Sequence, residues 1–256
     1  MIDAAFFTHD TYRRILRTGL ACGYAFRIFG EVDAVRTGGG KTCFLRHDCD
    51  NDLAAAADVA RIETEEGVRS TYFIMLRSAL YNALAPTGAA LVRQIVAGGH
   101  RLGLHFDESV FAKVDDGALV AQIDRERRLM ADEFGQEIDV VSFHQPGARI
   151  LDNRVRINCF NTYDRGDTAG IHYTSDTNLA FRSGDPESLF KAGEHRLIQV
   201  LLHPEWWTAE PMALGAKWER MLANNLDGMQ GSLLAREATY RQRRRLVVEA
   251  AADTGR

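Results

Sequence analysis

Five short phrases in this chain end in side chains that can bind a metal or move a proton. "RHDCD" (46–50) holds His47, Asp48 and Asp50, and "GLHFD" (103–107) holds His105 and Asp107. "SFHQP" (142–146) contributes His144, "YTSD" (173–176) ends in Asp176, and "LLHP" (201–204) ends on His203 and a proline. Imidazole and carboxylate groups are the usual ligands of catalytic divalent cations and the usual general acids and bases. One histidine at the end of an apolar run is most often a core residue with a satisfied hydrogen bond. Four histidines and four aspartates distributed over five such ends call for another explanation.

Strand parity sorts these groups. Residues two apart on a strand face one side, and odd separations face opposite sides. Asp48 and Asp50 therefore aim together, while His47 and Cys49 point elsewhere. Two carboxylates with different neighbours can have their pKa values pushed apart, so that one binds metal and the other acts as base. His100 and His105, which look like a zinc pair in "GHRLGLHFDES" (99–109), cannot share a face. His100 sits at the entry to its strand and is expected to hydrogen-bond backbone there. Asp50 and His105 remain as the core of a metal site, with a third ligand from Asp107, His144 or another strand end.

The elements that would position these groups alternate. Strands are expected at 42–50, 70–76, 101–106, 139–144 and 196–203, with shorter ones in "NCFNTYD" and "IHYTSD". Helices are expected at 52–67, 88–99 and 116–135, each with a glycine stop, and again from 214 to 252. Repeated β-α-β units with right-handed crossovers give a parallel sheet covered by helices, and the strand count favours an α/β barrel. The C-terminal strand ends of such a barrel form one face, where active sites lie. The chain reads as one domain, 1–256, with a core over 42–204 and a capping helix with its approach over 7–35.

Composition narrows the function. The 256 residues are 46% hydrophobic, enough for a sizeable core, and the net charge is −4 without a basic stripe, so nucleic acid is not an expected partner. The dense run "RQRRR" (241–245) reads as a solvated helix face. No apolar run approaches the ~20 residues of a membrane span, and the start lacks the pattern of a signal peptide, which leads to the expectation of a cytoplasmic protein. Four cysteines without a CxxC pair read as free thiols. "GGGKT" (38–42) lacks the first glycine of a phosphate loop and precedes its strand, so it reads as a turn. In "HPEWW" (203–207) the two tryptophans cannot face the same way; one belongs to the core and one to a rim that could stack on a sugar.

The motif order resembles the polysaccharide deacetylases of carbohydrate esterase family 4, over roughly residues 42 to 204. The resemblance implies a distorted (β/α) barrel of about seven parallel strands and metal-dependent removal of acyl groups from sugars, usually with zinc. "RHDCD" is similar to the family's first motif, which implies Asp48 as general base and Asp50 as metal ligand. "GHRLGLH" (99–105) is similar to the phrase ending in the first histidine ligand, which falls on His105. "VLLHP" (200–204) resembles the last motif and implies His203 as general acid.

Two departures stand out. Ser109 occupies the place of the second metal histidine, and "FHQPG" has His144 in the neighbourhood where the third motif has an Arg. The third ligand is then expected to be His144, with Asp107 as the alternative. The pattern is similar to a divergent branch associated with bacterial surface-polysaccharide biosynthesis. That implies an amino sugar or sugar precursor as a small-molecule or oligosaccharide substrate, with an oligomer compatible. Asp107, Asp176, Arg182 and Trp206 are the expected substrate contacts. Asp176 could instead orient His203, Arg182 could pair with Asp176, and His47 could support the site or simply close its strand end. Two rivals are a catalytically silent barrel that binds a sugar or nucleotide-sugar, and a metal-free amide hydrolase.

Overall fold

The computed structural model describes residues 3–243 and is built around one strand buried along nearly its whole length. In chain order the elements are α1 (His9–Ala21), β1 (Tyr24–Arg27), α2 (Val32–Thr37), β2 (Lys41–Cys49), α3 (Leu53–Glu65), β3 (Thr71–Ile74), α4 (Pro86–Ala97) and β4 (Arg101–Asp107). They continue with α5 (Asp116–Phe134), β5 (Val140–His144), α6 (Ala148–Leu151), β6 (Phe160–Asn161), β7 (His172–Ser175), α7 (Pro186–Ala192), β8 (Leu197–Leu202) and α8 (Leu214–Arg236). All pairings between these strands are parallel. The order β6-β5-β4-β3-β2-β8-β7 is that of a singly wound barrel left open at one seam, between β6 and β7. The expected distorted (β/α) barrel is the observed architecture.

Local chemistry sets the helix ends. Asp52 caps α3 by accepting the amides of Ala54 and Ala55 at 2.9 and 3.0 Å, and Asp115 caps α5 through the amide of Ala118. Gly135 ends α5 in the left-handed region at φ 65°, where a side chain would be strained. The turn "GGG" at 38–40 joins α2 to β2 at the N-terminal end of the sheet, away from the polar strand ends.

The structure departs from the sequence reading in three places. The approach segment within 7–35 contains a strand, β1, which pairs with the first half of β2 while β3 pairs with the second half. Its four residues, "YAFR", are too short to show a period of two. The second irregular segment, "NCFNTYD", forms only the two-residue β6. Closing helices are expected over 214–252, one over 214–229 and the next from Leu233; α8 instead runs unbroken to Arg236, a further helical stretch covers 238–243, and residues 244–252, including part of "RQRRR", lie outside the described residues.

The barrel interior is layered. Phe29, Phe44, Phe73 and Val140 plug its N-terminal end. Gly103 makes room for this plug, since a Cβ there would lie 2.6 Å from the Phe73 ring. Above it Arg46, with no exposed surface, has its guanidinium 5.2 Å from the Phe73 ring and 5.1 Å from that of Tyr163. Asp48, His105 and Ser142 form the next layer, and Asp50, His144 and His203 stand at the mouth.

Candidate metal centre

Register builds the site. β4 and β5 place His105 beside Ser142 and Asp107 beside His144, so His105 and His144 rise from adjacent strands one step apart. β2 brings Asp50 past its own end into the same mouth. The Oδ1 of Asp50 lies 2.8 Å from Nε2 of His105 and 3.5 Å from Nδ1 of His144. On its other side, Oδ2 is 4.0 Å from Nε2 of His203. These three residues, Asp50, His105 and His144, are a cluster whose ligand atoms all lie within 4.8 Å of one another.

A simple observation tests whether this cluster suits a cation. Oδ1 of Asp50 is buried and has no hydrogen-bond partner, although two imidazole nitrogens approach it. A buried carboxylate oxygen without a partner is expensive, and a cation would relieve it. For ~2.0–2.1 Å bonds in tetrahedral geometry, neighbouring ligand atoms stand roughly 3.3 Å apart. The observed separations bracket that value, and one oxygen with two nitrogens is a donor set that fits zinc.

Charges around the cluster are ordered. Burial opposes the charge of Asp50, but His105, then His144 and His203, hold its carboxyl well below the usual range. His144 is raised above its ordinary value, chiefly by the Asp50 carboxylate beside it. His203 is partly buried, which works against its charge, yet Asp176 pushes it up to about 10. The Nδ1–H of His203 donates to Oδ1 of Asp176 at 2.7 Å, the backbone N–H of His203 donates to the same carboxylate, and Trp207 Nε1 donates to Oδ2 at 3.0 Å. His203 is therefore an imidazolium with Nε2 turned towards Asp50.

Asp48 shares the interior face, as parity requires, but Arg46 engages both its oxygens, Nε donating at 2.7 Å and Nη2 at 2.6 Å. Ser142 Oγ adds a bond at 3.3 Å, and Nδ1 of His105 lies 3.8 Å from Oδ2. Burial opposes its charge, while Arg46 and His105 pull the carboxyl below its usual value. Ser142 also lies 2.5 Å from Nδ1 of His105, fixing the ring so that Nε2 points at Asp50.

The expected substrate contacts divide. Asp176 has no exposed surface and both oxygens are occupied, so it orients His203 and cannot meet a sugar hydroxyl. Trp206 is not an open platform: it is 9% exposed and packs edge-on to Trp218, with ring centroids 4.9 Å apart, while Trp207 lies in the core. Arg182 is exposed in the loop after β7 and makes no hydrogen bond or ion pair among the described residues. Asp107 caps the turn after β4 by accepting the amide of Ser109 at 2.9 Å, and its charge contributes to raising His144. Ser109 itself is exposed and outside the cluster.

His47 and Cys49 point away, into the helix layer. Nε2 of His47 lies 2.6 Å from Oε1 of Glu63, and burial holds the Cys49 thiol well above its usual pKa. His100 bonds backbone, with Nε2 3.0 Å from the Ala60 carbonyl.

Arg46, Ser142 and Glu205 escaped the sequence reading. Arg46 and Ser142 stand two residues before Asp48 and His144, so the same parity would have found them. Glu205 is 1% exposed; its Oε1 accepts from Asn51 Nδ2 at 2.8 Å, its Oε2 has no partner, and burial pushes its carboxyl up to about 8. No local signal in "HPEWW" marks it.

No family model matches the chain, and no curated protein does. Solved structures similar to it include an esterase family 4 domain of a multidomain xylanase from the hindgut metagenome of Trinervitermes trinervoides, at 13% identity and TM-score 0.45, covering 76% of this chain and 85% of that one. Another is a Streptococcus pyogenes deacetylase in complex with acetate, at 13% identity and TM-score 0.48, with 72% and 85% covered. A third is a CE4 family pseudoenzyme from Bacillus anthracis, at 11% identity and TM-score 0.42, with 73% and 61% covered. With identities this low, the site's chemistry is read from its own geometry. No helix among the described residues is long and apolar enough to cross a membrane.

Proposed function

We propose that the protein is a metal-dependent hydrolase that removes an acetyl-type acyl group from an amino sugar or sugar precursor. Surface-polysaccharide precursors are the substrate class that the motif resemblance implies. The observation that carries this reading is the orphaned Oδ1 of Asp50, buried between His105 and His144 and opposite a histidine held protonated by Asp176. Asp50, His105 and His144 would hold the ion, with zinc the best match to their donor set. A divalent cation there supplies a Lewis acid for the acyl oxygen and lowers the pKa of water towards ~7.

The chain's own residues supply the rest. Ser142 fixes the ring of His105, and Asp176 fixes that of His203. His203 donates the proton from Nε2 to the leaving nitrogen or oxygen. Asp48, kept ionised by Arg46, accepts the proton of the attacking water. Asp107, at the rim beside His144, would meet the sugar, and Arg182 would meet an anionic group on a larger substrate.

One observation favours the silent-barrel rival: Asp48 spends both oxygens on Arg46, which makes it a weak base. The test is acetate release from an N-acetylated amino-sugar oligosaccharide by protein stripped of metal and then reloaded with zinc. The reading predicts no turnover in the stripped protein and recovery on reloading. Equal turnover in both would assign the chemistry to a metal-free hydrolase, and no turnover in either would assign a binding role.

A further inference from the structure

α8 has 23 residues, of which only Lys217 and Met221 are buried. Lys217 anchors it, its ammonium donating to the carbonyls of Phe7 and Trp206 at 3.0 and 2.7 Å and to Thr208 Oγ1 at 2.9 Å. Towards solvent the helix sets Leu214, Trp218, Leu222, Leu226, Met229 and Leu233, each between 39% and 65% exposed. Spacings of three and four keep all six on one stripe, about 28 Å long. Their exposed area is roughly 500–600 Å², at the upper end of what a monomer leaves bare and most of one partner's ~800 Å² share of a standard interface. A helix so little buried cannot rely on propensity alone to stay folded.

Two features select a second copy of this chain as what covers the stripe. The first is its near-palindromic spacing. Turned end for end about a point between residues 223 and 224, the helix places Leu214 opposite Leu233 and Trp218 opposite Met229, with Leu222 and Leu226 one residue out of register. A two-fold interface requires this self-complementarity. The second is charge. The C-terminal end of α8 and the segment after it present Arg236, Arg241 and Arg243 against Glu237, all exposed, whereas the N-terminal end and the segment before it balance Glu210 and Glu219 with Lys217 and Arg220. Antiparallel pairing keeps the two basic ends apart, and parallel pairing would set them side by side.

We propose that two copies pair antiparallel through α8, and that the pairing closes a cavity next to the strand end that carries Asp50. That cavity, about 450 Å³, lies between α8 and the segments following β2 and β3, and is lined by Leu53, Leu80, Tyr81, Leu91, Met229 and Leu233. Met229 and Leu233 are exposed on its α8 side, and these are the residues that the second copy's Trp218 and Leu214 would cover. The compartment adjoins the strand end carrying Asp50: Asp52 lines it, Ser78 Oγ donates to the Asp50 carbonyl at 3.1 Å, and Tyr81 donates to that of Cys49 at 2.5 Å. The inference does not depend on the proposed reaction.

Sedimentation velocity of the full chain tests it. The expected mass is about 57 kDa, twice 28.6 kDa, with Leu226→Glu and Met229→Glu each giving the monomer at unchanged helix content. A second measurement reads direction. A spin label at Ala235→Cys, in a Cys22→Ser, Cys159→Ser background, should report roughly 35 Å between copies, against ~10–15 Å for parallel helices. A monomer up to about 100 µM, a dimer indifferent to both substitutions, or the short distance would overturn the proposal. So would a monomer that binds phosphatidylglycerol vesicles through the same stripe, which would make a lipid surface its occupant.

Discussion

β2 carries two buried polar constellations back to back, each with a histidine and a carboxylate in contact, and they differ in what is left unsatisfied. On the outer face, Glu63 of α3 accepts hydrogen bonds from Tyr12, Ser70 and Tyr72 and faces Nε2 of His47, with His100 Nδ1 3.4 Å away. Burial opposes its charge, yet His47 and these bonds hold its carboxyl down to about 2. Both oxygens of Glu63 are engaged, and the one loose atom in the group is Nδ1 of His47. On the inner face the loose atom is a charged oxygen, Oδ1 of Asp50, with two imidazole nitrogens converging on it. A saturated buried network joins helix to sheet, whereas a charged oxygen left over at a barrel mouth marks a place for something else.

Substitutions should separate the two faces. The largest effect belongs to the inner one: Asp50→Ala or His105→Ala should lower acyl hydrolysis at least ~10³-fold, about 4 kcal/mol of transition-state stabilisation, while thermal unfolding stays near wild type. The reverse pattern is expected outside. Glu63→Ala should cost about 3–5 kcal/mol of stability by stranding its donors and the His47 partner, read by urea unfolding, without a selective loss of activity in the molecules that remain folded.

Intermediate effects fall on the proton-handling groups. His203→Asn should reduce kcat by ~10²–10⁴-fold. The activity that needs His203 protonated should fall as pH rises through about 10, and Asp176→Asn should move that limb to lower pH. Asp48→Asn is the sharper probe, because Arg46 already occupies its oxygens. A fall comparable with His203→Asn assigns it the base, and a mild fall with altered metal affinity makes it a support for His105.

The smallest effect is a pH slope. A carboxyl held down to about 2, against 4.5 when unfolded, stabilises the fold fully above pH 4.5, and this contribution is lost as pH falls through about 2. In Glu63→Gln, stability should therefore change less steeply with pH over that window than in the wild type. An unchanged slope would show that the outer network is not held by charge.

Much of this contrast is legible in the sequence, because strand parity is rigid. It separates His47 from Asp48 and Asp50, and His100 from His105, and it allows Arg46 to join Asp48. Parity cannot say which faces meet across strands, so the approach of His144 to Asp50 depends on the register of β5 against β4. Burial by later segments is equally hidden. Asp176 reads equally as a sugar contact or as a partner of His203 until His203 and Trp207 close over it, and Trp206 reads as a rim residue until α8 brings Trp218 against it. β1 and β6 were invisible or overstated because two to four residues show no period.

The most direct measurement is calorimetric zinc binding to metal-free protein, comparing wild type with His144→Ala and Asp107→Ala. The account predicts one ion per chain, affinity weakened at least ~100-fold by His144→Ala, and little change for Asp107→Ala. No binding by the wild type, or full affinity in His144→Ala with loss in Asp107→Ala, would contradict it.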